Sequence, residues 1–314
     1  MTTNGGDAVK VVPVRHVGRW IGAVVMVVLA VMLLHTLLFT SRFTWSIVFH
    51  YFGTSEIIQG VVKTLELTVL AMIIGIALGV AIAIMRLSPN RLLSAPAWAY
   101  TWFFRGTPVY VQLLFWFNIA ALFPQLSIGI PFVHAAFLRF NAGNFFTPFN
   151  AAFIGLGLNE AAYMSEIARS GLISVDEGQI EAASSLGMRR SQTLRLVVLP
   201  QAMRVIIPPT GNEVISMLKT TSLASAISVI ETLGAAQNIY AANYEVMPLL
   251  ITASLWYLVV TTVLSIGQFY LERHFAKGAH RTPPPTPIAR LKADVRGIAG
   301  KFRTRRGVVA EVVA

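Results

Sequence analysis

Glu181-Ala182-Ala183-Ser184-Ser185-Leu186-Gly187, followed by Arg189, Arg190, Arg195 and the pair Leu199-Pro200, is a polar stretch between apolar runs long enough to cross a bilayer. A membrane anchor has no need of it. From 174 to 186 the residues favour helix, Gly187 suits the left-handed conformation that stops one, and Ser191 is placed to cap the next. In that second helix Leu194, Val197 and Val198 share a face, and Leu199-Pro200 is expected to end it. The stretch reads as a helical hairpin with an apolar tip, Leu186 and Met188, and a basic flank. Taken alone, it is either an ordinary interfacial loop or a knob that fills a groove on another protein.

The surroundings are those of a membrane protein. The 314 residues are 55% hydrophobic and 12% charged, with a mean hydropathy of +0.65, whereas an ordinary domain is about 25% charged. With no cysteine, a disulfide framework, thiolate metal sites and a cysteine nucleophile are excluded. The six histidines are scattered without metal-ligand spacing. The net charge of +11 raises nucleic acid as a partner, so its distribution matters. If the chain crosses six times, nineteen of its 25 Lys and Arg fall on one side, and the opposite loops keep Arg42 and Arg139. That asymmetry places both termini in the cytoplasm.

The spans follow from length, since a hydrocarbon core about 30 Å thick needs roughly 20 mainly apolar residues. They are expected near 20–38, 61–85, 95–122, 151–173, 205–230 and 247–270. The first has a basic leader but no small-x-small cleavage site, so it is expected to stay as an uncleaved span. Residues 41–59 mix Trp45, His50, Tyr51 and Phe52 with polar residues, as a segment at a membrane surface does. In the second span Ala71, Gly75, Gly79 and Ala83 recur every four residues, a ridge on which another helix can pack closely. Lys63 and Glu66 near its start are within reach of the headgroups.

Three spans carry polar residues that an inert anchor would not keep. Arg105-Gly106-Thr107-Pro108, followed by Gln112, sets a permanent cation beside two helix breakers. Arg105 reaches either the headgroups or a wet, protein-lined cavity. In the fourth span Asn159, Tyr163 and Glu166 recur at steps of four and three, on one helical face. Such a face suits the wall of a polar pathway, with interhelical hydrogen bonding as the plainer alternative. The fifth is interrupted by Pro208-Pro209 and carries Asn212, Glu213, Lys219 and Thr220, so it is expected to be surrounded by protein. The long segment 123–148 is read as an outer loop. Beyond 273 the Pro-rich spacer and sparse basic tail need no nucleic acid: attraction to anionic lipid, roughly 1 kcal/mol per basic residue, accounts for them.

The hairpin then acquires a meaning. Glu181-Ala182-Ala183, three residues, Gly187, nine residues, Val197, one residue and Leu199-Pro200 resembles the EAA loop of bacterial ABC-importer permeases, which usually have isoleucine where Val197 stands. Four more stretches resemble the branch of that family that takes up polar amino acids of the histidine, glutamine and glutamate type. These are 60–68, Arg105-Gly106-Thr107-Pro108 with Val111-Gln112-Leu113, 158–167, and Leu218-Lys219-Thr220-Thr221-Ser222-Leu223. The resemblance covers about 56–275 and implies an all-α polytopic protein of about six transmembrane helices. Residues 1–52 would hold an added first span, 53–275 the five-helix core and 276–314 a disordered tail.

It also implies function. A pair of permeases, identical or homologous, would seat their hairpins in clefts of a cytoplasmic ATPase dimer, and an external solute-binding protein would deliver the amino acid. Glu181, Ala182, Ala183, Leu186, Gly187, Met188, Leu199 and Pro200 would couple to the ATPase. Arg105, Gln112, Asn159, Tyr163, Glu166 and Lys219 would line the pathway, with Arg105 at the substrate carboxylate and Glu166 and Asn159 near its ammonium. The chain has no G-x-x-x-x-G-K-[ST] loop, so ATP and its Mg would be held by the partner and no cofactor by this chain. The chain would be a conduit in a bacterial cell membrane and not an enzyme, lacking H-E-x-x-H and G-x-S-x-G motifs. The alternative is an ion-coupled secondary transporter or a channel.

Overall fold

Helix α3 (Ser55–Arg86) and helix α8 (Pro148–Ile173) form the central pair of the molecule. The computed structural model describes residues 17–40, 43–129 and 136–275. The basic tail expected to be disordered lies outside them. The four-residue ridge of α3 explains the pairing: Ala71, Gly75, Gly79 and Ala83 are all buried, and they face Gly157, Glu160, Ala161 and Met164 of α8. In lipid, apolar burial gives little driving force between helices, so close packing between small residues supplies it.

The other elements are arranged around this pair. Helix α1 (Val17–Phe39) includes a 19-residue apolar segment with none of its length buried. Helix α2 (Trp45–Phe52) docks on the C-terminal helix: the Phe52 ring stacks on Trp256 at 4.7 Å, and Trp256 Nε1 donates to Phe52 O at 2.9 Å. After α3 the chain turns at Asn90, whose side chain caps helix α4 (Arg91–Gly106) by accepting from Leu92 N. Helices α5 (Val109–Phe117) and α6 (Ile119–Leu122) follow.

The span expected near 95–122 is therefore broken. Thr107 is extended, as the residue before a proline tends to be, and Pro108 restarts the helix as the N-cap of α5. The outer segment contains a hairpin that its Pro- and Gly-rich composition did not suggest, with β1 (Gln125–Gly129) antiparallel to β2 (Ala136–Asn141). The short helix α7 (Ala142–Phe145) then leads into α8, whose N-terminus is capped by Thr147.

Helix α9 (Glu177–Ser185) is separated from α8 by residues 174–176 and capped by Asp176, so it is shorter than the helix expected from 174 to 186. Two further expectations fail. Ser191 lies inside α10 (Arg190–Thr193), whose N-cap is Arg189, with its N–H donated to Gln192 Oε1 at 2.9 Å. Leu199-Pro200 does not end the helix either. A π turn over Leu194–Val198 leads directly into α11 (Leu199–Thr220), and Leu199 N–H donates to Leu194 O, five residues back. The widened turn carries the backbone past the carbonyl that a proline ring would otherwise strike.

A 3-10 turn (Thr221–Ile227), helix α12 (Thr232–Asn243) and helix α13 (Val246–Phe275) complete the fold. By length and composition, the segment 21–39, α3 and α13 are apolar enough to cross a membrane, and the run from Arg190 to Ile227 joined to α12 through a 42° bend makes a fourth. Helix α8 is long enough, at about 1.5 Å per residue, but carries the polar load noted above. A buried carboxylate ties the last elements to α3. Glu231 accepts from Leu233 N, Gly234 N and, at 2.5 Å, the Tyr257 hydroxyl, while Thr64 bonds Thr232 at 2.7 Å.

Candidate functional site

Pro108 removes one backbone donor and so leaves the carbonyl of Phe104 without its helical partner. Two side-chain amides replace that donor. Gln112 Nε2 and Asn159 Nδ2 each donate to Phe104 O at 3.0 Å, and Asn159 Nδ2 also donates to Gln112 Oε1 at 3.1 Å. Gln112 bonds Thr107 as well, through its carbonyl at 3.1 Å and its hydroxyl at 2.7 Å. The break is thus held open by buried polar groups from α5 and α8, which is how non-helical backbone is tolerated at membrane depth.

The break forms one wall of a cavity of about 540 Å³, within the range of small-molecule sites. Arg105 to Val109 line it on one side, Asn159, Glu160 and Tyr163 of α8 on another, and Glu213, Ser216, Met217 and Thr220 of α11 on a third. Arg105 sits over the Tyr163 ring, 5.4 Å from its centroid. Glu160 is 4% exposed and its Oε1 has no hydrogen-bond partner among the described residues, while the half-buried Glu213 lies on the same lining. The cavity therefore has a cationic wall and an acidic wall.

Of the residues expected on a pathway, the structure brings Arg105, Asn159 and Tyr163 to the cavity and places Gln112 immediately behind it. Lys219 is exposed and off the lining, with Ser216 and Thr220 of its helix on it. Glu166, expected near a substrate ammonium, is also off the lining. Its carboxylate is taken by Arg86, by Arg169 Nε at 3.0 Å, and by Arg105 at 3.4 Å. The acidic groups that do face the cavity are Glu160 and Glu213. A helical face through 159, 163 and 166 is close in phase to one through 160 and 163. The packing of α3 and α11 against α8 decides which carboxylate is enclosed.

The hairpin stands apart from the cavity. Helix α9 packs chiefly against α10 and the π turn, and it ends at Gly187 with φ 74°. There Met188 N donates to Ala183 O and Gly187 N to Ser184 O, the paired bonds of a Schellman stop. Ala183 is buried, Glu181 and Ala182 are exposed, and Leu186 at the tip is 82% exposed. At the base, Val175, Val198 and Ala202 form a small apolar cluster with Leu172 and Ile206, which joins the hairpin to α8 and α11. Leu199 and Pro200 are exposed on the same continuous helix.

A set of membrane-length helices around a polar cavity, with a helical hairpin attached to the cavity-lining helices, is the architecture of a membrane permease. Comparison with solved structures agrees: the chain is similar to an amino acid ABC transporter crystallised with histidines, at 35% identity and a TM-score of 0.59, over 70% of this chain and 94% of that one. It belongs to the family of binding-protein-dependent transport system inner membrane components, whose sequence model matches residues 71–277. It is 46% identical over 286 residues to the arginine transport system permease protein ArgU of Corynebacterium glutamicum, covering 91% of this chain and 88% of that one. It is 37% identical over 206 residues to the histidine/lysine/arginine/ornithine transport system permease protein HisM of Escherichia coli, covering 65% of this chain and 82% of that one.

Proposed function

We propose that this chain is the membrane conduit of an ATP-driven importer that passes cationic amino acids, arginine among them, through the cavity between α4, α8 and α11. The observation that carries this reading is Glu160, a nearly enclosed carboxylate on the cavity lining whose buried Oε1 has no hydrogen-bond partner among the described residues. A carboxylate in such a place is costly unless a cation arrives to meet it. A solute with a guanidinium or ammonium side chain supplies one, with Glu213 beside it. Arg105 on the opposite wall suits the α-carboxylate. The relatives named for arginine and for histidine, lysine, arginine and ornithine transport support the same class.

In this reading the hairpin from 181 to 200 seats in a cytoplasmic ATPase, which holds ATP and Mg. A second permease completes the pathway, and a solute-binding protein docks outside. The excess of Lys and Arg on one side of the spans orients the hairpin and both termini toward the cytoplasm. In proteoliposomes holding the whole complex, Glu160→Gln should lower ATP-driven uptake of radiolabelled L-arginine about tenfold or more, a loss of about 1.4 kcal/mol of binding. Undiminished arginine uptake by that variant, or uptake by the wild type without the ATPase, would overturn the proposal.

A further inference from the structure

Glu166 holds more cation than one carboxylate can balance. Its Oε1 accepts from Arg86 and lies 3.4 Å from Arg105, and its Oε2 accepts from Arg169. These arginines come from different helices: Arg86 is the last residue of α3, Arg105 lies in the last turn of α4, and Arg169 shares α8 with Glu166. One anion therefore ties together the ends of three helices.

The three contacts differ. Arg86 and Arg169 belong to the tightly packed α3–α8 pair, make direct hydrogen bonds and have side chains 15% and 31% exposed. Arg105 has the longest contact, is 45% exposed and stands next to the break at Thr107-Pro108. Of the three it alone lines the cavity. With both oxygens of Glu166 already engaged, its added charge is attracted by Glu166 but repelled by the other two guanidinium groups. Its attachment is consequently weak, and an anionic group in the cavity competes for it at close range.

We infer that Arg105 is the arm of a gate and Glu166 its positioning residue. The guanidinium rests between Glu166 and the Tyr163 ring, with Glu213 on the same cavity lining, and the side chain bars the route between α4 and α8. The α-carboxylate of a solute draws it off Glu166, which stays neutralised by Arg86 and Arg169, so opening leaves no bare charge behind. This deepens the proposed function and rests on its reading of the cavity as the solute's site.

The gate is tested in proteoliposomes bearing the full complex. Vesicles preloaded with radiolabelled L-arginine should leak up to about fivefold faster without ATP for Arg105→Ala and Glu166→Gln than for the wild type, the upper end of what an exposed ion pair is worth. Arg105→Lys, which keeps a charge able to reach Glu166, should restore retention. A second readout needs no solute. The chain has no native cysteine, so Ser216→Cys places one thiol on the cavity wall for a membrane-impermeant methanethiosulfonate. Labelling of the permease from the hairpin side should quicken by a similar factor when either gate residue is changed, and remain slow with Arg105→Lys. Labelling rates unaltered by both changes would overturn the gate whatever the solute. Failure of the wild type to take up arginine with quickened labelling intact would overturn the solute assignment and leave the gate standing.

Discussion

Gly75 of α3 and Glu160 of α8 pack so closely that a methyl group added to the glycine would lie 2.5 Å from Cγ of the glutamate. The small-residue ridge thus positions the acidic wall of the cavity as well as joining two helices. Gly75→Val should destabilise the protein by about 1–3 kcal/mol, as overpacking does, and displace Glu160. A lower melting temperature of the purified complex together with lost arginine uptake is expected. Normal uptake would separate the ridge from the cavity.

Gln112 is predicted to matter as a substitute for a missing backbone donor. Gln112→Ala removes its bonds to Phe104 O and Thr107 and leaves Asn159 to cover the break alone. The expected cost is about 1–3 kcal/mol of stability, read as a lower melting temperature. A melting temperature equal to the wild type's would show that the break needs no such brace.

At the hairpin, Gly187 has φ 74°, a conformation that costs a residue with a Cβ roughly 1–2 kcal/mol. Among the described residues, no atom outside its own neighbourhood lies within 4 Å of a methyl group added there, so the effect is one of backbone conformation and of what docks at the tip. Gly187→Asp should insert in the membrane normally yet uncouple ATP hydrolysis from uptake. Full transport by that variant would count against the hairpin as the joint with the ATPase.

The Glu231 network should be structural. Tyr257→Phe deletes the 2.5 Å hydrogen bond to that carboxylate without changing the cavity. Hydrogen bonds to charged groups are worth about 1.5–3 kcal/mol, so thermal stability should fall while the arginine concentration giving half-maximal uptake stays the same. A shift in that concentration would link the network to the solute site.

Helix α1 has none of its apolar segment buried against the rest of the chain. Deleting residues 1–43 should therefore leave a folded complex with ATP-driven uptake close to the full chain's. Loss of uptake with normal membrane levels would show that α1 has a partner within the assembly.

Much of this was legible in the residues themselves. Length and hydropathy marked the apolar segments, the four-residue spacing of Ala71, Gly75, Gly79 and Ala83 marked the face of closest packing, and Gly187 marked the helix stop. Each of these depends on local geometry: helical period, bilayer thickness, and the freedom of a residue without a Cβ. Where one local rule met another the outcome was less clear. Proline rules predicted an end at Leu199-Pro200, whereas a π turn absorbs the ring and the helix runs on to Thr220.

The hairpin and the membrane character were thus determined by sequence alone, because a motif and a composition are read along one dimension. Which carboxylate faces the cavity was decided only by tertiary structure. Asn159, Glu160, Tyr163 and Glu166 are close neighbours on one helix, and the sequence offers no rule to rank them. Arg86 and Arg169 take one acid out of play, while α11 brings Glu213 up beside the other. Those partners come from positions up to 80 residues away, and it is the packing of α3 and α11 against α8 that distinguishes an ion-paired tie from an open site.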